Sequence, residues 1–116
     1  MDLYDRSGRA TAYVDGQSLR LWNGKRIGIV QNDALYSLQG RHVGYVKSGW
    51  LRDRSGHAVL YTPGATGGPL PPLPTLPPLK PLAPLAPLAP LMPLASLMPL
   101  PSLSWSPRSL DNLLTY

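Results

Sequence analysis

Residues 19–34 read LRLWNGKRIGIVQNDA, and this stretch is one of four that lie over each other without a gap. Its glycine recurs as Gly8, Gly24, Gly40 and Gly56, always 16 residues apart. Five residues before each glycine stands a leucine: Leu3, Leu19, Leu35, Leu51. A turn former or polar residue precedes it (Ser7, Asn23, Gln39, Ser55), and Arg9, Lys25, Arg41 or His57 follows. Five residues after it comes Tyr13, Ile29, Tyr45 or Tyr61, then Val14, Val30, Val46 or Thr62. Agreement at a fixed period means one supersecondary unit used four times.

Each unit reads as strand, tight turn, strand. Asn23-Gly24 carries the strongest turn chemistry, that of a type I′ loop with positive φ at both central residues. Asp-Arg-Ser-Gly, at 5–8 and again at 53–56, suits a longer loop in which Asp caps and Gly takes the left-handed position. Second turn signals fall between units, at Asp15-Gly16, Asn32-Asp33, Ser48-Gly49 and Pro63-Gly64. Eight short antiparallel strands follow from this spacing. Short strands must hide their edges, and closure into a ring does so.

The predicted fold is all-β: a small, pseudo-four-fold, eight-stranded shallow antiparallel barrel of four 16-residue hairpins over residues 1–64. Leu3, Leu19, Leu35 and Leu51 are expected to point inward. They are joined by Ala12, Gly28, Gly44 and Leu60, whose mostly small size suits crowding near an axis. Tyr4, Arg20, Tyr36, Arg52, Trp22, Ile27, Val43, Val59 and the ring Tyr13, Ile29, Tyr45, Tyr61 are assigned to the outer face. A bulge in the first or fourth turn would swap the faces there. A 64-residue domain buries only about 60% of its unfolded surface, and both faces are partly apolar, so a second element should cover one of them.

That element is in the sequence. All fifteen prolines lie between Pro63 and Pro107, and all eleven glycines at or before Gly68. Residues 65–104 form a low-complexity tail in which leucine fills every third position, twelve times from Leu70 to Leu103. Proline removes amide donors and holds its predecessor extended, so polyproline II is predicted, with three residues per turn and the leucines in one stripe. At about 3.1 Å per residue, 36 residues reach about 110 Å. Such a rod is expected to overrun a small barrel and to fold back, self-associate or meet a partner. A polyproline backbone leaves its carbonyls unpaired, which excludes it as a membrane span. Over residues 105–116, Ser106-Pro107 reads as a helix cap with Pro at the first turn, and Leu110, Leu113 and Leu114 recur at helical spacing. A short amphipathic helix over about 107–115 is predicted, with Trp105 as its anchor.

The hairpin tetrad, Leu21-Trp22-Asn23-Gly24-Lys25, Gly44-Tyr45-Val46-Lys47-Ser48-Gly49-Trp50 and a proline-rich tail ending at Trp105-Ser106 resemble the bacterial four-fold β-flower proteins. The resemblance implies a shallow pseudo-symmetric barrel with a hydrophobic central channel and no established biochemical role. It supplies no catalytic residues. The tail departs from the family pattern in being rich in Leu and Ala, with one lysine (Lys80) where relatives are more basic.

Catalytic chemistry is not in evidence. There is no cysteine or glutamate, all six acids are Asp, and His42 and His57 occupy different offsets in their repeats. No acid/base pair, nucleophile relay or metal spacing assembles from these, so no catalytic residue, no metal site and no cofactor is assigned. The net charge of +5 suits a solvated exterior. The first residues lack a signal-peptide pattern, and a cytoplasmic location is expected. The function read from the sequence is a non-catalytic binding or assembly module docking through the leucine ridge. Its partner is the chain itself or another protein. The binding set is Tyr13, Ile29, Tyr45 and Tyr61 with Leu82, Leu85, Leu88, Leu91 and Trp105. A membrane or lipid surface is the alternative partner. Nucleic acid, stacked on Trp22, Trp50, Tyr36 and Tyr45, is the third reading; cross-strand packing explains those rings equally well.

Overall fold

The computed structural model describes residues 1–115. Eight strands follow one another around a closed antiparallel barrel: β1 (Asp2–Tyr4), β2 (Ala10–Asp15), β3 (Ser18–Leu21), β4 (Arg26–Gln31), β5 (Ala34–Ser37), β6 (His42–Lys47), β7 (Trp50–Asp53) and β8 (Ala58–Tyr61). The ring shuts where Tyr4 pairs with Tyr61 and Thr62 Oγ1 donates to the Asp2 carbonyl at 2.7 Å. A six-residue helix, α1 (Leu110–Thr115), ends the described chain.

Turn chemistry differs from expectation in an informative way. In all four units the residue two places after the repeat leucine (Asp5, Leu21, Ser37, Asp53) closes a three-residue loop; in the second, Leu21 N donates to the Lys25 carbonyl and Gly24 N to that of Leu21, each at 2.8 Å. Asn23 keeps a negative φ while Gly24 stands at +94°, so this is a type I turn followed by a left-handed glycine and not a type I′ loop. The Asn23 side chain accepts from Lys25 N at 3.0 Å instead. Type I′ geometry appears between units, where Asn32 and Asp33 (φ 52° and 65°) and Ser48 and Gly49 (54° and 86°) both lie in the left-handed region.

The register explains a second correction. Every unit carries a bulge: Leu3 pairs Ala12 but Tyr4 pairs Ala10, and the same skip follows Leu19, Leu35 and Leu51. Thr11, Ile27, Val43 and Val59 are the skipped residues. Val43 and Val59 join the inner cluster and Ile27 packs against it, although strict alternation puts them outside. The extra residue flips the parity of the strand in every unit. Leu3, Ala12, Leu19, Leu35, Leu51 and Leu60 sit in the same cluster at 0–1% exposure. Gly28 and Gly44 face across these pairs; a Cβ on Gly44 would run into the Arg52 carbonyl oxygen.

Leu110 and Leu113 of α1 are buried in that cluster, with Leu114 packed against it, so the helix plugs one mouth of the barrel beside β5 and β6. The helix starts later than predicted. Ser109 is its cap, its Oγ accepting from Asn112 N at 3.2 Å. Ser106 instead donates to Asp53 Oδ2 at 2.6 Å and accepts from Arg108 N.

The proline-rich tail contains no helix or strand from Leu70 to Pro101, and it neither projects nor folds back. It encircles the barrel. Its contacts climb in chain order around the ring: Leu73 stands over Gly8, Ala83 over Gly24, Met92 over Gly40 and Leu100 over Gly56. The molecule measures 35 × 35 × 22 Å, and the perimeter of a disc that wide matches the reach of about 110 Å expected for the segment. A rod too long for one side of the barrel is the right length for its circumference.

Candidate functional site: the strap and its leucine belt

The tail, here the strap, presents its edges with a period of three, the residue count of a polyproline II turn. One edge is the carbonyl of the residue before each leucine. Seven barrel side chains donate to it: Tyr61 to Pro72 (2.9 Å), Trp22 to Pro78 (2.8 Å), Arg20 to Pro84 (2.8 Å), Gln31 to Pro90 (2.7 Å), Tyr36 to Pro93 (2.5 Å), Tyr45 to Ser96 (3.0 Å) and Arg52 to Ser102 (2.8 Å). These acceptors differ by multiples of three, so one row of carbonyls faces the barrel throughout. The donors come from the outer face of the sheet, where Tyr36, Tyr45 and Tyr61 stand on one side of the pleat with Arg20 and Arg52. Proline-rich segments lack amide donors, so a surface that grips them must supply the donors itself.

The second edge holds small or flexible residues. Ala89, Met92 and Ala95 pack on Ile29, Ala34 and Tyr36. Lys80 sits over the rings of Tyr13 (4.3 Å) and Trp22 (4.8 Å) and pairs with Asp2 Oδ1 at 2.6 Å. The third edge is the leucines, and it faces away from the barrel. All twelve are exposed, from 72% at Leu103 to 101% at Leu85.

Both ends of the strap meet at the fourth unit. Arg52, 3% exposed, donates from Nη1 to the carbonyls of Gly56 and Ser102 and from Nη2 to that of Gly67. One guanidinium therefore holds the first and last turns of the strap together. Burial pushes it down from its ordinary value against the pull of Asp53. Trp50, 1% exposed, lies under it, donating from Nε1 to the Thr66 carbonyl. Trp105 packs edge-on against Trp50 and Tyr61, and its neighbours Ser104 and Ser106 bond the backbone of Ala58.

The residues assigned from sequence thus separate. Tyr61 and Trp105 stand ring against ring, and Tyr13, Ile29 and Tyr45 each meet a different part of the strap, at Lys80, at Ala89 to Ala95 and at Ser96, whereas Leu82, Leu85, Leu88 and Leu91 form part of the outward belt. Gly8, Gly24, Gly40 and Gly56 all have φ between 86° and 94° and lie beneath the strap. Arg20, Gln31, Trp22 and Arg52 also grip the strap, a role beyond the binding set expected from sequence. The signal for them is the strap's other triplet position, Ala or Met through its second half, which marks an edge too close to a surface for larger side chains.

Among the described residues, no group of three His, Cys, Asp or Glu is placed to hold a metal ion, and no helix is long and apolar enough to cross a membrane. His42 is packed on Tyr36 and Tyr45, its Nε2 2.8 Å from the Gly44 carbonyl; burial lowers its pKa, Gly44 opposes this and Arg54 adds to it.

A closed meander of four bulged hairpins, plugged by a helix and bound by its own tail, defines a class of small repeat barrel. The chain belongs to the 4-fold beta flower protein family, whose model matches residues 1–114. No curated protein and no solved structure matches it.

Proposed function

We propose that the chain is a non-catalytic docking module: a disc-shaped hub that presents a closed belt of leucines to an apolar partner, a protein or further copies of itself. The observation behind this reading is the direction of the leucines. Burying one is worth about 1.5–3 kcal/mol, yet the strap turns its carbonyls and small residues to the barrel and leaves all twelve leucines in solvent. Monomeric proteins rarely expose apolar patches beyond roughly a few hundred Å², and a continuous belt of this kind marks an interaction surface. Less favours the nucleic-acid reading, because of its four rings Trp50, Tyr36 and Tyr45 are 1–5% exposed beneath the strap and Trp22 alone stays partly open.

Converting Leu82, Leu85, Leu88 and Leu91 to Ser tests the belt without touching a strap contact. The full-length variant should keep its melting temperature while losing concentration-dependent association in light scattering. Unchanged association would remove the belt from the function. Sedimentation with vesicles, lost in the variant, would transfer the belt to a lipid surface.

A further inference from the structure

Helix α1 covers only part of the barrel mouth, and a cleft of about 700 Å³ opens over the remainder. It lies between the helix and the loops of the first, second and third units, with β8 at its back. Its wall is apolar: Leu21, Ile27, Val59 and Leu60 from the barrel, with Leu110 and Leu114 from the helix. Leu38 at the rim is 47% exposed and Leu21 half-buried, while the other leucines of the barrel are buried. This volume is typical of a small-molecule site, which combines apolar walls with a few polar groups.

The rim adds a charge preference. Arg6, Lys25, Arg26 and Arg108 border the cleft against two carboxylates, Asp5 and Asp111. The Asp5 carboxylate is engaged within its own turn, accepting from Ser7 N, Ser7 Oγ and Arg9 N at 2.6–3.1 Å. Arg26, by contrast, pairs in register with Arg20 and lines the gap under the strap beside it, with its Nε shut off from solvent. Setting aside Arg108, which is engaged with Asn112, Arg6 and Lys25 stand beside the apolar wall against one carboxylate, Asp111.

We infer that this cleft binds a single-chain amphiphile with an anionic head, a fatty carboxylate or an alkyl phosphate. The chain lies along Ile27, Val59 and Leu114, and the head meets Arg6 and Lys25, both exposed at the rim. The site is separate from the leucine belt, and the barrel's own axis is already filled by its leucines.

Titration of the isotopically labelled full chain, followed by amide and indole resonances, tests this with laurate and dodecyl phosphate kept below micelle formation. Both should give saturable shifts at Thr11, Ile27, Val59, Leu114 and the Trp105 indole, which also borders the cleft. Inorganic phosphate should give none. Dodecanol should bind about tenfold more weakly, and R6Q/K25Q should bring the anionic ligands down to the same level. L114W, checked for an intact spectrum, should close the cleft and abolish binding; should it fail to fold, the charge variant still decides. The Leu82, Leu85, Leu88, Leu91→Ser variant should bind normally, which keeps this test apart from that of the belt. Absence of saturable shifts, equal affinity for dodecanol, or shifts running along the strap instead of the cleft would each overturn the assignment.

Discussion

At Gly8 and Gly40 the backbone is nearly the same, with φ of 86° and 87°, but the surroundings are not. A Cβ on Gly8 would stand 2.7 Å from the Leu73 carbonyl oxygen, whereas on Gly40 it meets only the Met92 sulfur at 3.9 Å. Left-handed geometry costs a side chain about 1–2 kcal/mol, and G40A should lose about that much. G8A should lose at least ~1 kcal/mol more, because the strap must lift from the turn where Thr75 bonds the Gly8 carbonyl. Equal losses in chemical unfolding would show that the strap does not press there. The conformational need of these glycines was legible, because it is local turn chemistry; the pressure on Gly8 was not, since its source lies 65 residues away in a segment with no pairing rule. Tyr61 offers a residue-scale test by pH. Burial, with Asp5 and Tyr4 nearby, raises its pKa above the usual 10.0, and its hydroxyl donates to Pro72. A raised folded pKa means that this stabilisation is whole below about pH 10 and is lost as pH rises through the folded value. Melting temperature should hold to about pH 10 and then fall as phenolate absorbance appears. In Y61F the part of that fall due to Tyr61 should vanish; an unchanged alkaline profile in Y61F would assign the loss to other groups.

At the scale of elements, the strap makes a claim about phase that single residues test. Leu88 is 98% exposed, while its neighbour Ala89 packs on the patch formed by Ile29, Ala34 and Tyr36. L88A should therefore leave the unfolding free energy within about 0.5 kcal/mol of the parent. A89L, which adds bulk against a closed surface, should cost about 1–3 kcal/mol. A strap turned by one residue would reverse the two results. The sequence makes the stripe of leucines plain, because three residues per turn and a leucine at every third place admit one arrangement. It does not reveal that the stripe faces outward, since apolarity argues for burial. What decides against burial is hydrogen bonding: the outer face of the barrel carries Tyr, Arg, Trp and Gln donors, and these require the carbonyl edge. The strands show the same division. Their number and order follow from the repeat and its turns, whereas the bulge that carries Ile27, Val43 and Val59 inward lies within the ladder, one pair beyond the turn, where no turn residue marks it.

For the molecule as a whole, the question is what keeps a strap of this length closed. Sidewise contacts are spread over the perimeter, and a break at any one of them leaves its neighbours in place. Arg52 is different, because its two Nη atoms reach Ser102 at the end of the strap and Gly67 at its beginning. Arg20 occupies the corresponding position in the second unit and reaches a single strap carbonyl, Pro84, along with its own Gly24. Lysine keeps the charge in both places but lacks the planar fork, so it cannot hold diverging acceptors at once. The buried carbonyls left without a donor cost about 1–3 kcal/mol each. R20K should lower stability by about one such loss, with the rest of the strap staying down. R52K should lose more, and it should free residues 65–68 and 102–106 together, which carries Trp105 away from Trp50 and Tyr61. Amide exchange at those two segments, read alongside the Trp105 indole signal, separates the variants. Joint release in R52K, and none at either segment in R20K, is the expected pattern. If R52K and R20K behave alike, the strap is held by the sum of its contacts and Arg52 is no more than one of them.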